Sequence, residues 1–176
     1  MISYLLKLED SECQTDVIFD IMIHDIDLIL QLVKSPISTV SGVGYYIGDG
    51  KQLEAASAIL SFQNGCFASI LSSRFSLEKK RSLYVTEKQR FIKTNLLTKE
   101  LCIYNKVDDA SARMRPYRLE NIVEKIAVPQ LDALHSEINH FLNSIQSQQS
   151  PMVNVNEAAK VLEVALMIKE QIEKNK

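Results

Sequence analysis

Apolar and polar positions divide the chain into a helical first part, a long stretch of strand-like alternation and a helical last part. Residues 2–6 read as a short strand and residues 8–15 as a polar loop. From Asp16 to Val33 apolar side chains fill most of a helical circumference, and Lys34-Ser35-Pro36 ends the run. The period then changes. Residues 39–47 are β-branched and aromatic, and residues 53–62 alternate, with Ala56, Ala58, Leu60 and Phe62 on one side. Asn64-Gly65 marks a hairpin, because both residue types tolerate positive φ, and residues 66–75 return. Residues 81–85, 90–94 and 101–104 continue an antiparallel meander. Residues 105–121 are polar and predict a long loop, and residues 122–128 form a last strand closed by Pro129.

Leu131, Leu134, Ile138, Phe141, Leu142 and Ile145 keep helical spacing, residues 146–151 are a linker, and Asn154 with Glu157 has the form of a capping box. Ala158, Val161, Leu162, Ala165, Ile168 and Ile172 then form one stripe. The order predicts an α+β fold, with an open, mostly antiparallel sheet of about six strands and helices packed on one face. Residues 1–176 are expected to form a single domain. The strands between Thr39 and Tyr104 carry apolar or small residues on both faces, such as Ala55, Ser57 and Ile59 opposite Ala56, Ala58 and Leu60. Helices can cover one of these faces, so the other is expected to pair with a second copy of the chain.

Composition narrows the function classes. The 176 residues are 46% hydrophobic and 24% charged, with a net charge of −2 and no Trp. This balance supplies neither the basic surface nor the stacking platforms of a nucleic-acid binder. The most apolar stretch, 17–33, contains Asp20, His24, Asp25 and Asp27, which excludes a membrane span. Cys13, Cys66 and Cys102 have no metal-ligand spacing and fit a reducing, cytoplasmic setting.

The first helix carries the candidate chemistry. Around an ideal helix, His24, Asp27 and Gln31 all lie within roughly 40° of Asp20. A narrow polar stripe on a mostly buried helix faces water, a polar partner or a cleft. An Asp one turn before a His can orient the ring and select its tautomer, as a general acid/base requires. An ordinary solvated stripe has the same pattern. Gly42-Val43-Gly44-Tyr45-Tyr46-Ile47-Gly48 has a glycine rhythm, but its spacing is wrong for a dinucleotide fingerprint and no helix follows it. It reads as a strand end and turn. The His24-Asp25 doublet is one that metal-dependent phosphohydrolases use, yet His135 and His140 stand about 140° apart on a helix and do not converge on one ion. Arg74, at a strand end, is a candidate contact for an anionic substrate and equally an exposed strand-end arginine.

The segment Asp16-Val17-Ile18-Phe19-Asp20-Ile21-Met22-Ile23-His24-Asp25-Ile26-Asp27 resembles the D-x-x-x-H-D segment of the Gfo/Idh/MocA dehydrogenases. Lys34-Ser35-Pro36, Leu60-Ser61-Phe62-Gln63-Asn64-Gly65-Cys66 and Ser72-Ser73-Arg74-Phe75-Ser76 extend the likeness. It covers residues 2–104 well and the last helices loosely, and it runs nearest to members that oxidise the 3-hydroxyl of UDP-N-acetylglucosamine. The resemblance implies the C-terminal domain of a sugar or nucleotide-sugar dehydrogenase, which transfers a hydride from a sugar hydroxyl carbon to NAD(P). His24 matches the family's acid/base histidine and Asp20 the carboxylate that assists it. The family's sheet face makes the subunit contact, implying a homo-oligomer. The glycine fingerprint and lysine of the family's N-terminal Rossmann domain are absent from this sequence. The chain alone is therefore expected to hold no cofactor and to be inactive without that domain. The other reading is a non-catalytic domain that dimerises through its sheet.

Overall fold

The computed structural model describes residues 2–5, 15–47, 52–106, 121–129 and 132–176. Most of the polar loops expected at 8–15 and 105–121, together with Cys13, Gly48 and Leu131, lie outside the described residues. The strands are β1 (Ile2–Leu5), β2 (Ile37–Ile47), β3 (Gln52–Phe62), β4 (Phe67–Ser73), β5 (Lys80–Thr86), β6 (Arg90–Asn95), β7 (Glu100–Lys106) and β8 (Asn121–Ala127). The helices are α1 (Ile23–Val33), α2 (Ala133–Ser147) and α3 (Val155–Lys174), and a π-helical turn, Ile18–Met22, runs straight into α1.

The eight strands form one sheet in the order β2-β3-β4-β1-β5-β6-β7-β8. The fold is α+β as the pattern predicts, with eight strands in place of about six. All eight correspond to segments read as strands, and the short first one, β1, joins the same sheet by slotting between β4 and β5. It pairs parallel to β4 (Ile2 with Ile70) and antiparallel to β5 (Leu5 with Lys80). Every other pairing is antiparallel.

The core lies between one face of β2–β4 and the pair formed by the first helical segment and α3. Alternation places Ala56, Ala58, Leu60, Phe62 and Ile70 on that face. Ile18, Met22, Ile26 and Ile29 meet them from the first helix, and Val161, Ala165, Ile168 and Ile172 from α3. The two glycines of β2 belong to this packing. A Cβ on Gly44 would stand 2.5 Å from Leu53 Cδ1 and 2.9 Å from Ile172 Cγ2, and one on Gly42 would stand 3.1 Å from Ile172 Cγ1. Neither is at a strand end: both sit inside β2, where the missing side chains let α3 lie close to the sheet.

Local signals hold at the junctions. Lys34 closes α1 in the left-handed conformation, its N–H donating to the Leu30 carbonyl. Residues 63–66 connect β3 to β4, and Gly65, at φ +83°, is the turn residue that takes positive φ. The hairpin is therefore a longer one than a two-residue type I′ turn. Asn154 accepts from the Asn156 and Glu157 N–H groups and Glu157 accepts from the Asn154 N–H, completing the capping box of α3. Helix α2 differs from the other two. Leu134, Ile138, Phe141, Leu142 and Ile145, its apolar stripe, are all exposed.

Candidate functional site

The polar stripe sits at the π-helical turn and the first turns of α1. The turn is closed by the Ile23 N–H donating to the Ile18 carbonyl, and its entry by the Phe19 and Asp20 N–H groups donating to the Asp16 carbonyl. Single π turns inside α-helices recur at functional sites. The Asp16 side chain anchors the entry. One carboxylate oxygen accepts from the Leu53 N–H on β3, and the other accepts from Lys169 on α3 at 2.6 Å. The Asp16 hydrogen bond, and behind it the charges of Asp16 and Glu173, raise Lys169 above the usual lysine value against the effect of burial, and the ammonium also lies 5.5 Å over the Phe19 ring.

Asp20 and His24 both reach the surface of the helix. The Asp20 carboxylate is 40% exposed and accepts a 2.7 Å hydrogen bond from the Arg74 guanidinium. His24 is exposed, and further along the same face Gln31 donates to Asp27 at 2.9 Å. The four stripe residues thus share one side of the helix, open to solvent, while Ile18, Met22 and Ile29 on the opposite side are buried.

Arg74 stands where a core residue would. It follows Ile70 and Ser72 on the helix-facing side of β4, and its side chain is only 2% exposed. Its guanidinium is spent inside the chain: one nitrogen donates to Asp20 and to the Thr15 carbonyl, both at 2.7 Å, and the other to Glu54 at 3.4 Å. An exposed strand-end arginine would make none of these bonds. The geometry brings Asp20 and Arg74 together, with Arg74 turned towards Asp20 rather than outwards, and leaves His24 exposed one turn further along the helix.

Two acidic residues were not among the expected site residues, although Asp25 was weighed with His24 as part of a metal-binding doublet. Glu54 is the second carboxylate on Arg74. Asp25 shares the spacing of Ile18, Met22 and Ile29 and is fully buried, and neither of its carboxylate oxygens has a hydrogen-bond partner among the described residues. Burial pushes it up from 3.8 to about 7, against the pull of Arg81 on β5. Its position within an apolar stripe was the available signal. His140 is engaged elsewhere, its Nε2 accepting from the Met152 N–H at 3.0 Å. Among the described residues no group of three or more His, Cys, Asp or Glu side chains could hold a metal ion. None of the described helices is long and apolar enough to cross a membrane.

Comparisons with known proteins bear on the family and the fold. A family model described as the GFO/IDH/MocA C-terminal domain matches residues 7–91. A UDP-N-acetylglucosamine 3-dehydrogenase from Acidithiobacillus ferrooxidans is 29% identical over 158 residues, covering 90% of this chain and 49% of that protein. The solved structure of this enzyme, GnnA, superposes with a TM-score of 0.88 at 26% identity over 98% of this chain and 54% of its own. A levoglucosan dehydrogenase solved with NADH and L-sorbose shares the fold, with a TM-score of 0.79 at 16% identity over 98% of this chain and 55% of its own. The chain thus spans about half the length of the proteins it matches. In sequence and fold the chain is thus similar to the GFO/IDH/MocA C-terminal domain and to that part of a sugar-nucleotide dehydrogenase.

Proposed function

We propose that this chain is the substrate-side and oligomerisation domain of an NAD(P)-dependent dehydrogenase that oxidises a sugar or nucleotide-sugar hydroxyl. In this reading His24 is the acid/base and Asp20 the carboxylate that assists it. The observation that carries it is the open polar stripe at the π turn: an exposed imidazole one turn after a carboxylate that is itself held by a buried arginine. An imidazole placed this way can take the proton of a substrate hydroxyl as it is oxidised, and a fixed carboxylate beside it can set the ring's tautomer. UDP-N-acetylglucosamine is the substrate named for the A. ferrooxidans relative and is the first compound to try.

The residues of this chain do not fit the dinucleotide. A pyrophosphate cradle needs a glycine-rich turn from a strand into a helix. Here the space above Gly42 and Gly44 is filled by Leu53, Ile168 and Ile172. In this reading NAD(P) is held by a Rossmann domain outside the sequence described. Calorimetry of the 176-residue chain with NADH or NADPH is expected to give no binding, and micromolar affinity would sink this part of the reading.

The face of β2–β4 turned away from the helices supports self-association. Val43, Tyr45, Ile59, Phe67 and Leu71 are exposed there, among small Ala and Ser residues in register. A second copy laid on this face would bury all of them. Light scattering at high micromolar concentration is expected to give a dimer or larger. For the chemistry, His24→Ala in the full-length protein is expected to lower turnover by roughly 10²–10⁴, the usual range for a lost acid/base. Near-normal turnover would remove the assignment.

A further inference from the structure

We infer that Arg74 is a positioning residue, which holds the Asp20 carboxylate in place at the π turn and through it orients His24. The inference rests on the reading of Asp20 and His24 as the acid/base pair and assigns a function to a residue that is itself buried.

Three bonds define the device. Arg74 donates to the Thr15 carbonyl, which lies just before the π turn, and to Asp20, which lies within it, both at 2.7 Å. It therefore spans the turn from outside to inside. Glu54, 16% exposed, holds the other arm of the guanidinium at 3.4 Å. The backbone fixes the root of the side chain as well, since the Arg74 N–H donates to the Glu54 carbonyl at 3.0 Å, continuing the β3–β4 ladder by one rung. A planar guanidinium presents its donors in a fixed fork, so a rigidly rooted Arg74 dictates where the Asp20 oxygens sit. One carboxylate oxygen of Asp20 is tied to this fork, while the side chain as a whole stays 40% exposed, four residues before the exposed His24. On a helix, residues four apart are surface neighbours, about 5–6 Å between Cβ atoms. Without the clamp, Asp20 would be free to rotate away and the helix entry would lose the bond to Thr15.

A residue that merely packed the core would affect stability without affecting His24. The test is NMR on the 176-residue chain in four forms: wild type, Arg74→Met, Asp20→Asn and the double variant. Two signals are read at fixed pH, the ring ¹⁵N shifts of His24 and the hydrogen exchange of the Ile23 and His24 amides. Arg74→Met is expected to move the His24 ring signals in the same direction as Asp20→Asn and to speed exchange at the turn by about tenfold. The double variant is expected to add nothing beyond the larger single change, because both act on one contact. Should Arg74→Met not fold, Arg74→Lys takes its place. It keeps the cation but not the fork, and is expected to shift the ring signals part of the way. Additive effects, or His24 signals that respond to Asp20→Asn but not to either Arg74 variant, would overturn the inference, and so would a His24 ring indifferent to all of them. Normal turnover of a full-length His24→Ala enzyme would end the acid/base reading instead, and would leave the coupling of Arg74, Asp20 and the turn as measured.

Discussion

The two wings of the sheet are built differently. Strands β2–β4 carry Leu53, Ala56, Ala58, Leu60, Phe62 and Ile70, all buried beneath the first helical segment and α3. Strands β5–β8 contribute no fully buried apolar side chain among the described residues, and Ser82 is the one buried residue on them. What holds the second wing is the ladder itself and pairs across it. Tyr84 stacks on Phe91 at 6.1 Å, Phe91 meets Tyr104 at 5.8 Å, and Lys125 bonds Glu100 at 3.2 Å. The candidate site hangs on the first wing, where the supporting Arg74 is buried and the helix that carries the site packs on the core. A site that must hold its geometry gains from that placement, because rigid supports keep reacting groups aligned.

The contrast predicts a graded set of responses. The largest belongs to the packed wing. Ile70→Ala leaves a cavity in a closed core and is expected to cost about 2–5 kcal/mol in urea unfolding, with faster exchange throughout β2–β4. Next comes the seam between the wings, where Asp25 on α1 is buried within the field of Arg81 on β5. Its folded value of about 7 lies above its unfolded value of 3.8, so the folded state holds the proton more tightly. The stability this gives is complete below about pH 4 and is lost as pH rises towards 7, a fall of roughly 4 kcal/mol. Asp25→Asn is expected to flatten that fall and to unfold later than wild type at pH 8. Parallel unfolding curves for the two across this range would break the prediction.

Two smaller effects sharpen the comparison. Gly44→Ala pushes a methyl group against Leu53 and Ile172 and is expected to cost roughly 1–3 kcal/mol, the range for overpacking. Phe91→Ala, at the centre of the aromatic row on the second wing, is expected to cost about 1 kcal/mol beyond the area it uncovers. Thermal unfolding of these two variants ranks them. A larger loss at Phe91 than at Ile70 would show that the second wing is not the lightly held one.

Much of this architecture was legible along the chain. The stripe of Asp20, His24, Asp27 and Gln31 emerged from helical spacing, because three- and four-residue intervals survive the passage from π turn to α-helix. The π turn itself carries no compositional mark and was not visible. Arg74 reads in the sequence as a strand-end residue, open to an anionic substrate or to solvent, and is instead buried. Its partners lie on Thr15, Asp20 and Glu54, distant in sequence, so only the fold could show that it faces inwards. Gly42 and Gly44 had the same difficulty. Their reason is α3, more than a hundred residues away, and a local reading could offer only a strand end. The Asp16–Lys169 contact joins the two ends of the described fold and has no local signature at all.

The short strand β1 carries a kinetic consequence. Among the described residues it is the only strand paired with both wings, with Ile2 opposite Ile70 on one side and Leu5 opposite Lys80 on the other. Both partners come much later in the chain, so β1 can insert only after β4 and β5 have formed. Closing so long a loop is entropically costly and slow relative to local hairpins. Until it closes, β4 and β5 each present an open edge of unpaired N–H and carbonyl groups, the kind of edge that recruits other strands. The interval before four residues arrive is thus the period in which a folding chain is most exposed to aggregation, and slowing that insertion would lower the yield of folded protein without altering the structure finally reached.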